Sequence, residues 1–272
     1  MVARVLTVAG SDSGGGAGIQ ADIKTFTALG VYGMSAITAV TVQDTSGVFE
    51  VVEIPPSSVY EQIKVVVKDI GCDSVKTGML YSAETVESVA KAVRDFNLPF
   101  LVVDPVLRSK RGDMLFVEEA CESLVRLLLP LAYVVTPNIP EAEAICECEV
   151  RRLRDVEECA KRIKALGAQA VVIKGGHLEG DKSIDLLYMG GDEFHYFVSD
   201  RIPTTSTHGT GCTFSSAIAA FLARRFDIYT AVRKAKDYTT TAIREGFKIG
   251  SGAGPLNHFW NVERCIKDFY CT

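Results

Sequence analysis

The stretch Thr207-His208-Gly209-Thr210-Gly211-Cys212-Thr213 leads directly into residues 214–221, a run of small and apolar side chains that is typical of a buried helix. Because Gly209 and Gly211 carry no side chain, the backbone before this helix can adopt shapes that other residues would not allow. Free N–H groups and the positive end of the helix dipole would converge on the loop. The segment therefore predicts an anion site, which suits a phosphate group.

Cys212 ends this loop, and two interpretations of it are open. At the mouth of an anion site, the helix N-terminus would lower the pKa of the thiol and make it reactive. Alternatively, the loop only caps the helix and Cys212 is a small buried side chain. Other parts of the sequence are needed to decide between a functional and a purely structural loop.

Outward from this loop, apolar strands alternate with helices along the chain. The patterns predict strands at residues 5–9, 35–42, 48–54, 74–77, 100–103, 133–135, 170–173, 184–189 and 193–198. They predict helices at residues 19–29, 57–70, 83–96, 113–128, 139–146, 156–166, 214–221 and 230–246, and another after residue 257. Ser57 or Ser58 is expected to cap the second of these helices.

This alternation predicts an α/β fold in which helices cover both faces of a mostly parallel sheet. The strands are nearly continuous apolar runs, as expected for parallel strands that are buried on both faces. The Gly-Gly-Asp sequence at residues 190–192 indicates a hairpin between the last two strands. No linker or repeat divides the chain, and we expect a single domain over residues 1–272.

Composition and charge argue against several classes of protein. The chain has a formal net charge of −5 and no extended basic run, so a nucleic-acid partner is not expected. No apolar run approaches a membrane span, and no secretory signal precedes the first strand. The eight cysteines include Cys146-x-Cys148 but no second pair, so zinc is not expected and a reducing cytoplasm fits best.

Polar residues and glycines follow the ends of many predicted strands. The carboxyl ends of parallel strands meet at one rim of the sheet, where α/β proteins bind ligands. The residues at these ends are Gly10, Ser11, Asp12, Gln43, Asp44, Gly78, Met79, Asp104, Thr136, Pro137, Asn138, Lys174, Gly175 and Gly176. We expect them to gather at that rim.

Several of these residues also have an ordinary structural explanation. Asp104 precedes a proline and suits a turn, and Lys174 or Gln43 could be a surface or edge side chain. Asn138 and Glu141 have the spacing of a capping box at the start of a helix. Convergence of all of them by accident is much less probable than any one of these alternatives.

Together these residues suggest phosphoryl transfer. That reaction needs N–H groups and a cation on the phosphates, and oxygen ligands for Mg²⁺. The loop around Gly209, Lys174, and the oxygens of Asp104, Asn138 and Glu141 can fill these roles. No Gly-Lys-Ser or Gly-Lys-Thr sequence occurs, so a P-loop is excluded and ATP use requires a different kinase fold.

The sequence closely resembles the bacterial hydroxymethylpyrimidine/phosphomethylpyrimidine kinases of thiamine biosynthesis, within the ribokinase-like superfamily. The matching segments are residues 9–25, 38–43, 76–79, 104–106, 136–138 with Glu141, 174–177 and 208–213. The resemblance implies a ribokinase-like three-layer α/β/α fold and a homodimer. It also implies two ATP-dependent phosphorylations, first of 4-amino-5-hydroxymethyl-2-methylpyrimidine and then of its monophosphate to the diphosphate.

The same resemblance assigns roles by position. Gln43 and Asp22 would bind the pyrimidine, whose pocket would be lined by Gly10, Met79 and Val106. ATP would contact Lys174, Asn138 and Thr210, and Mg²⁺ would be held by Asp104, Asn138 and Glu141. Lys236 would reach the substrate's phosphate in the second step.

Many ribokinase-like enzymes carry Asp as the base where this chain has Cys212. A thiol with a lowered pKa could accept the hydroxyl proton. Cys212 could instead form, with Gly209 and Gly211, an anion hole for the developing charge. The sequence leaves both roles open.

Three alternatives remain at this point. The first is a pyridoxal kinase of the same fold. The second is a dinucleotide-dependent oxidoreductase, because Gly16-x-Gly18-x-x-Ala21 with Asp44 further on fits a relaxed Rossmann pattern, although this pattern starts too far beyond the first strand. The third is a ligand sensor without catalysis, against which the complete set of Mg²⁺ and base positions argues.

Overall fold

A computed structural model of the chain describes residues 2–106, 118–176 and 180–262. It contains a nine-stranded sheet in the order β3-β2-β1-β4-β5-β6-β7-β8-β9. The strands are β1 (Arg4–Asp12), β2 (Tyr32–Gln43), β3 (Val48–Glu53), β4 (Ser74–Thr77), β5 (Leu101–Val103), β6 (Val134–Val135), β7 (Ala170–Ile173), β8 (Lys182–Tyr188) and β9 (Phe194–Asp200).

The sheet is mostly parallel, as the sequence predicted. The strands from β2 through β1, β4, β5 and β6 to β7 pair in parallel. At the two edges, β3 runs antiparallel to β2, and β8 and β9 add two antiparallel strands beside β7. The predicted hairpin between the last two strands is therefore confirmed.

The helices form a layer on each face of the sheet. They are α1 (Gly18–Ala28), α2 (Pro56–Asp69), α3 (Ala83–Asp95), α4 (Glu118–Ser123), α5 (Ile139–Cys146), α6 (Leu153–Ala165), α7 (Thr210–Ala223) and α8 (Ile228–Arg244). A π-helical turn, Leu124–Leu128, and a 3₁₀ turn, Leu129–Leu131, continue α4. None of the helices in the described ranges combines the length and apolarity that a membrane span requires.

Two apolar cores separate the three layers. Successive residues of a strand point to opposite faces, and accordingly Leu6 joins the core beneath α2, α3 and α6, whereas its neighbour Val5 joins the core beneath α1, α7 and α8. The second core is built on α7, where Phe214 and the small residues after it are buried. The small side chains let this helix lie close against the sheet.

Some predicted boundaries were wrong, and each has a local cause. β1 continues past residue 9 to Asp12, because a register shift between Ala9 and Ser11 lets the strand keep pairing with β2. α2 is not capped by Ser57 or Ser58, since Pro56 already takes the first helical position. α7 begins at Thr210, so Gly211 and Cys212 belong to its first turn.

α8 begins at Ile228, where Asp227 caps it by accepting from the Thr230 N–H group. The predicted helix at residues 113–128 is partly outside the described residues, and its described part is α4 with the π-helical turn. The predicted helix after residue 257 is described only for residues 260–262.

Candidate active site

A cavity of about 1010 Å³ opens at the carboxyl ends of the parallel strands. Its wall includes nearly all the residues that the sequence singled out: Gly10, Gln43, Met79, Asp104, Val106, Asn138, Glu141, Lys174, Gly209, Thr210, Gly211, Cys212 and Lys236. The predicted rim therefore exists. Of the residues given a role, Asp22 lies outside the lining, and so do three of the strand-end residues, Thr136, Pro137 and Gly175.

The N-terminus of α7 forms one side of the cavity. Gly209 caps the helix with a φ of +84°, and a Cβ atom there would lie 1.9 Å from the carbonyl oxygen of Gly16. The first bond of the helix ladder runs from the Thr213 N–H group to the Gly209 oxygen, 2.9 Å away. The N–H groups of Gly211 and Cys212 precede this bond and stay available for an anion.

A cluster of charges faces this helix end. Lys174 Nζ lies 2.8 Å from Asp104 Oδ1 and 3.8 Å from Glu141 Oε2. A Cβ atom on Gly211 would lie 3.2 Å from Lys174 Nζ, so the absence of a side chain keeps the helix end close to the cation. Lysine, two carboxylates and free N–H groups thus share one wall of the cavity.

Burial and mutual attraction set the charges of this cluster. Burial opposes ionisation of Asp104, but Lys174 and Lys76 outweigh it and lower the pKa of that carboxyl group. For Glu141, burial prevails and, together with the negative charge of Asp104, raises its pKa to about 7. The two carboxyl groups compete for one ammonium group, and a second cation would relieve that competition.

Asn138 and Glu141 also form the capping box of α5. The Asn138 N–H group donates to Glu141 Oε2 at 2.7 Å, and the Glu141 N–H group donates to Asn138 Oδ1 at 2.9 Å. The capping alternative is therefore confirmed for these two residues. It does not conflict with a role in the cavity, because each side chain has further lone pairs.

The environment of Cys212 differs from the sequence-based expectation. Burial, with the negative charges of Asp22 and Asp104, raises the pKa of its thiol to about 11, despite the nearby ammonium group of Lys76. Of the two interpretations left open by the sequence, the one with a lowered pKa is contradicted, because desolvation and two carboxylates raise it. Without a ligand, Cys212 is a neutral thiol at neutral pH.

Asp22 lies in the protein interior rather than in the cavity wall. Its carboxylate accepts from both Thr7 Oγ1 and Ser216 Oγ at 2.6 Å, and from Lys76 Nζ at 2.9 Å. Lys76 itself borders the cavity. The structure thus brings Lys76, not Asp22, to the site that the resemblance implied for Asp22.

Lys76 was missed as a site residue, although its sequence carried a signal. β4 is a short strand that is buried along its whole length, and a lysine within it, with no exposed surface, requires a charged partner.

His208 was also missed, and Asp12 was expected at the rim but was given no role there. The carboxylate of Asp12 accepts from the N–H groups of Gly14, Gly16 and Ala17 at 2.8 to 3.0 Å, and His208 Nε2 lies 3.0 Å from it. Burial opposes ionisation of Asp12, but these hydrogen bonds prevail and lower its pKa. The pair fastens the glycine-rich loop after β1 to the loop before α7.

Gln43 and Lys236 occupy opposite parts of the cavity wall. Gln43 Oε1 accepts from Thr41 Oγ1 at 3.0 Å, and Gln43 Nε2 lies 3.4 Å from His208 Nε2. Lys236 Nζ donates to Asp185 Oδ2 at 2.8 Å and to Ser183 Oγ at 3.0 Å. Gln43 belongs to the β2 side with Met79, and Lys236 to the β8 side.

A ribokinase-like sheet, with a helix N-terminus and a lysine–carboxylate cluster at its carboxyl edge, defines a kinase of small molecules. The profile of the phosphomethylpyrimidine kinase family matches residues 12–257, and the chain belongs to that family. The hydroxymethylpyrimidine/phosphomethylpyrimidine kinase of Streptomyces coelicolor is 50% identical over 256 residues, 94% of both chains. The thiamine biosynthesis bifunctional protein ThiED of Geobacter sulfurreducens is 49% identical over 95% of this chain, which spans 53% of that longer protein.

Solved structures agree on the fold. Bacillus subtilis pyridoxal kinase in an ADP complex superposes with a TM-score of 0.88 at 40% identity, over 95% of this chain and 98% of the other. The phosphomethylpyrimidine kinase of Clostridium difficile superposes with a TM-score of 0.79 at 44% identity, over 89% of this chain and 99% of the other. The predicted ribokinase-like fold and kinase class are confirmed.

Proposed function

We propose that this kinase, folded as a single domain over residues 1–272, phosphorylates 4-amino-5-hydroxymethyl-2-methylpyrimidine with ATP and then phosphorylates the monophosphate to the diphosphate. The observation that carries the proposal is the meeting of the α7 N-terminus with Lys174, Asp104 and Glu141 in one cavity. Preorganised N–H groups and a cation of this kind stabilise the charge that moves during phosphoryl transfer.

The roles divide between two parts of the cavity. On the nucleotide side, Lys174, Asn138 and Thr210 bind ATP, and Lys174 holds the transferring phosphate. On the pyrimidine side, Gln43 offers a donor and an acceptor to the aminopyrimidine edge, with Gly10, Met79 and Val106 as the apolar lining. A Cβ atom on Gly10 would lie 2.5 Å from Met79 Cε, so any larger residue would displace that lining.

The oxygens of Asp104, Asn138 and Glu141 would hold Mg²⁺. They form a hard, all-oxygen donor set of the type that Mg²⁺ prefers, and Lys174 alone leaves one of the two carboxylates unbalanced. The bound ion would neutralise phosphate charge. Asp104 is held in place for this by bonds from Thr136 and Ser215, each at 3.2 Å.

Cys212 acts in the anion hole with Gly209 and Gly211 rather than as a thiolate in the free enzyme. Its raised pKa keeps the thiol neutral, and the N–H groups of the first turn supply the positive field. A neutral thiol next to the phosphate adds no repulsion. Lys236, across the cavity, receives the phosphate of the monophosphate substrate in the second step.

The test supplies ATP, Mg²⁺ and either the pyrimidine alcohol or pyridoxal, and identifies the products by mass. We expect the pyrimidine mono- and diphosphates in succession. Pyridoxal is the second candidate, because the superposed Bacillus subtilis protein is a pyridoxal kinase. Pyridoxal phosphate formed without any pyrimidine phosphate would refute the main proposal.

We place the enzyme in the cytoplasm as a homodimer, without nucleic-acid or membrane partners. Gel filtration would check the homodimer, and cell fractionation would check the location.

A further inference from the structure

Three thiols converge at the C-terminal end of α5, and none of them lines the cavity. Cys146 is the last residue of α5, Cys148 follows a left-handed turn at Glu147, and Cys159 lies on α6. Their Sγ atoms all lie within 4.8 Å of one another. Cys159 Sγ is 2.9 Å from Cys146 Sγ, so two of the three are in direct contact.

The fold supplies a third thiol that the sequence pattern did not predict. Cys146-x-Cys148 has no second pair along the chain, but the packing of α6 against α5 brings Cys159 to it from thirteen residues away. Cys159 is fully buried, whereas Cys146 and Cys148 are half-buried. The cluster therefore has a closed floor and an accessible rim, which an ion needs in order to enter.

We propose that Cys146, Cys148 and Cys159 bind a soft, thiolate-seeking metal cation of the Zn²⁺ and Cd²⁺ class. Thiolate sulfurs lie about 2.3 Å from zinc, so three of them around one ion are separated by about 4 Å. The observed cluster reaches that spacing when the contacting pair opens slightly. Sulfur ligands select soft ions over Mg²⁺, so this site and the oxygen-lined cavity do not compete for one metal.

The three thiols differ in how easily they ionise. The hydrogen bond from Cys159 and the guanidinium group of Arg162 lower the pKa of Cys146, although burial opposes this. Burial and the charge of Cys146 raise the pKa of Cys148, and the hydrogen bond with Cys146, together with burial, raises that of Cys159, so the cation itself has to displace these two protons. Binding exchanges the three thiol protons for the cation, and the protons leave to solvent. Arg162 then offsets part of the remaining negative charge.

A metal here would join the end of α5 to α6. The other end of α5 carries Asn138 and Glu141, so the ion would stabilise the helix that presents them without touching the cavity. Its expected effect is on stability rather than on turnover.

The test titrates the full-length, phosphine-reduced protein with Cd²⁺, because cadmium–thiolate bonds give an ultraviolet charge-transfer band. We expect the band to saturate at one equivalent, Cd²⁺ to displace previously bound Zn²⁺ because it is the softer ion, and either ion to raise the melting temperature. Cys146→Ser, Cys148→Ser and Cys159→Ser should each weaken binding by at least on the order of 10- to 100-fold, the loss that even outer-shell changes cause. Cys121→Ser, on α4 outside the cluster, should bind normally.

Cys148→Ser also serves as the control for misfolding, because a half-buried position tolerates serine better than the buried position of Cys159 does. Kinase activity and circular dichroism of Cys148→Ser should match the wild type while its cadmium band is lost. A band that persists in all three variants, or its absence from the wild type, overturns the proposal. So does a Cys146–Cys159 disulfide formed under mild peroxide by a protein that takes up no metal.

Discussion

Lys76 donates from the centre of β4 to both carboxylate oxygens of Asp22 on α1, each at 2.9 Å, and neither side chain has any exposed surface. Asp22 is further held by Thr7 and Ser216, so the pair ties β1, β4, α1 and α7 together. Because Lys76 borders the cavity, this buried ion pair supports the wall of the active site from within the protein.

The first prediction concerns this ion pair. Lys76→Met removes one partner and leaves a buried, unpaired carboxylate, so we expect the free energy of unfolding to fall by about 3–5 kcal/mol. The double variant Lys76→Met/Asp22→Asn should recover a large part of that loss, because no net charge stays buried. Urea denaturation of the single and double variants measures this. Equal losses in the two would contradict a coupled pair.

The second prediction separates the two roles of Glu141. Glu141→Gln keeps an oxygen for the Asn138 N–H group but removes the charge, so the melting temperature should hold while the Mg²⁺ requirement rises. Glu141→Ala should lose both, with a cap contribution of about 1 kcal/mol. Magnesium titrations of activity and thermal melts on the same preparations test this. A wild-type Mg²⁺ dependence in Glu141→Gln would remove the residue from the metal site.

The third prediction concerns substrate recognition by Gln43. Gln43→Leu leaves the polar edge of the pyrimidine unpaired, and we expect kcat/KM for the pyrimidine to fall on the order of 100-fold or more. ATP affinity should be unchanged, because Gln43 lies on the other side of the cavity from Lys174. Steady-state kinetics with both substrates varied would show this, and unchanged constants for the pyrimidine would exclude Gln43 from the site.

The fourth prediction follows from the pKa of about 11 for Cys212. Alkylation of this thiol by iodoacetamide should be slow at pH 7 and should accelerate as the pH rises toward 11, since only the thiolate reacts. Cys212→Ser should keep kcat within about tenfold, because the N–H groups remain. Cys212→Asp should be worse, because its charge joins Asp22 and Asp104.

A larger loss in Cys212→Ser than in Cys212→Asp would restore the assignment of Cys212 as the base. Alkylation that is already fast at pH 7 in the free enzyme would contradict the neutral thiol. Mapping the alkylated peptide distinguishes Cys212 from the other half-buried thiols, such as Cys72.

The fifth prediction is a pH dependence of stability. Burial, with the charges of Lys24 and His208, lowers the pKa of His258 from 6.5 to about 4. Between these two values the unfolded chain binds a proton that the folded chain does not. The stability that comes from the neutral His258 is therefore complete above pH 6.5 and is lost as the pH falls to about 4. The shift corresponds to about 3 kcal/mol.

The control is His258→Gln, which keeps a donor for Thr213, whose Oγ1 lies 2.9 Å from the histidine ring. The difference in unfolding free energy between wild type and this variant should shrink by that amount between pH 6.5 and 4. The raised pKa of Glu141 makes stability change with pH in the opposite direction over part of this range. Because both proteins contain Glu141, its effect cancels in the difference between them. A flat difference would show that His258 is not neutral in the folded protein.

Sequence patterns were sufficient for the sheet and for the residues at its rim. Parallel strands are continuous apolar runs, and the polar residues Asp104 and Lys174 that end two of them are therefore visible without a structure. The boundaries failed where tertiary pairing overrode local signals, as at Gly10, which continues β1 because β2 offers partners beyond it.

The electrostatics could not be predicted in the same way. The position of Cys212 at a helix N-terminus suggested a lowered pKa, but the sign depends on burial and on the distant carboxylates Asp22 and Asp104. Two further features depend on packing between segments that are separated in the sequence. Lys76 borders the cavity while its partner Asp22 does not, and Cys159 lies beside Cys146.

The position of α7 late in the sequence has a consequence for folding during synthesis. One whole face of the sheet, with Val5 and Val102, is covered largely by α7 and α8, which are among the last segments to be synthesised. A nascent chain that has completed β9 therefore carries an uncovered apolar surface. Truncated forms that end before residue 210 should aggregate unless a chaperone holds them.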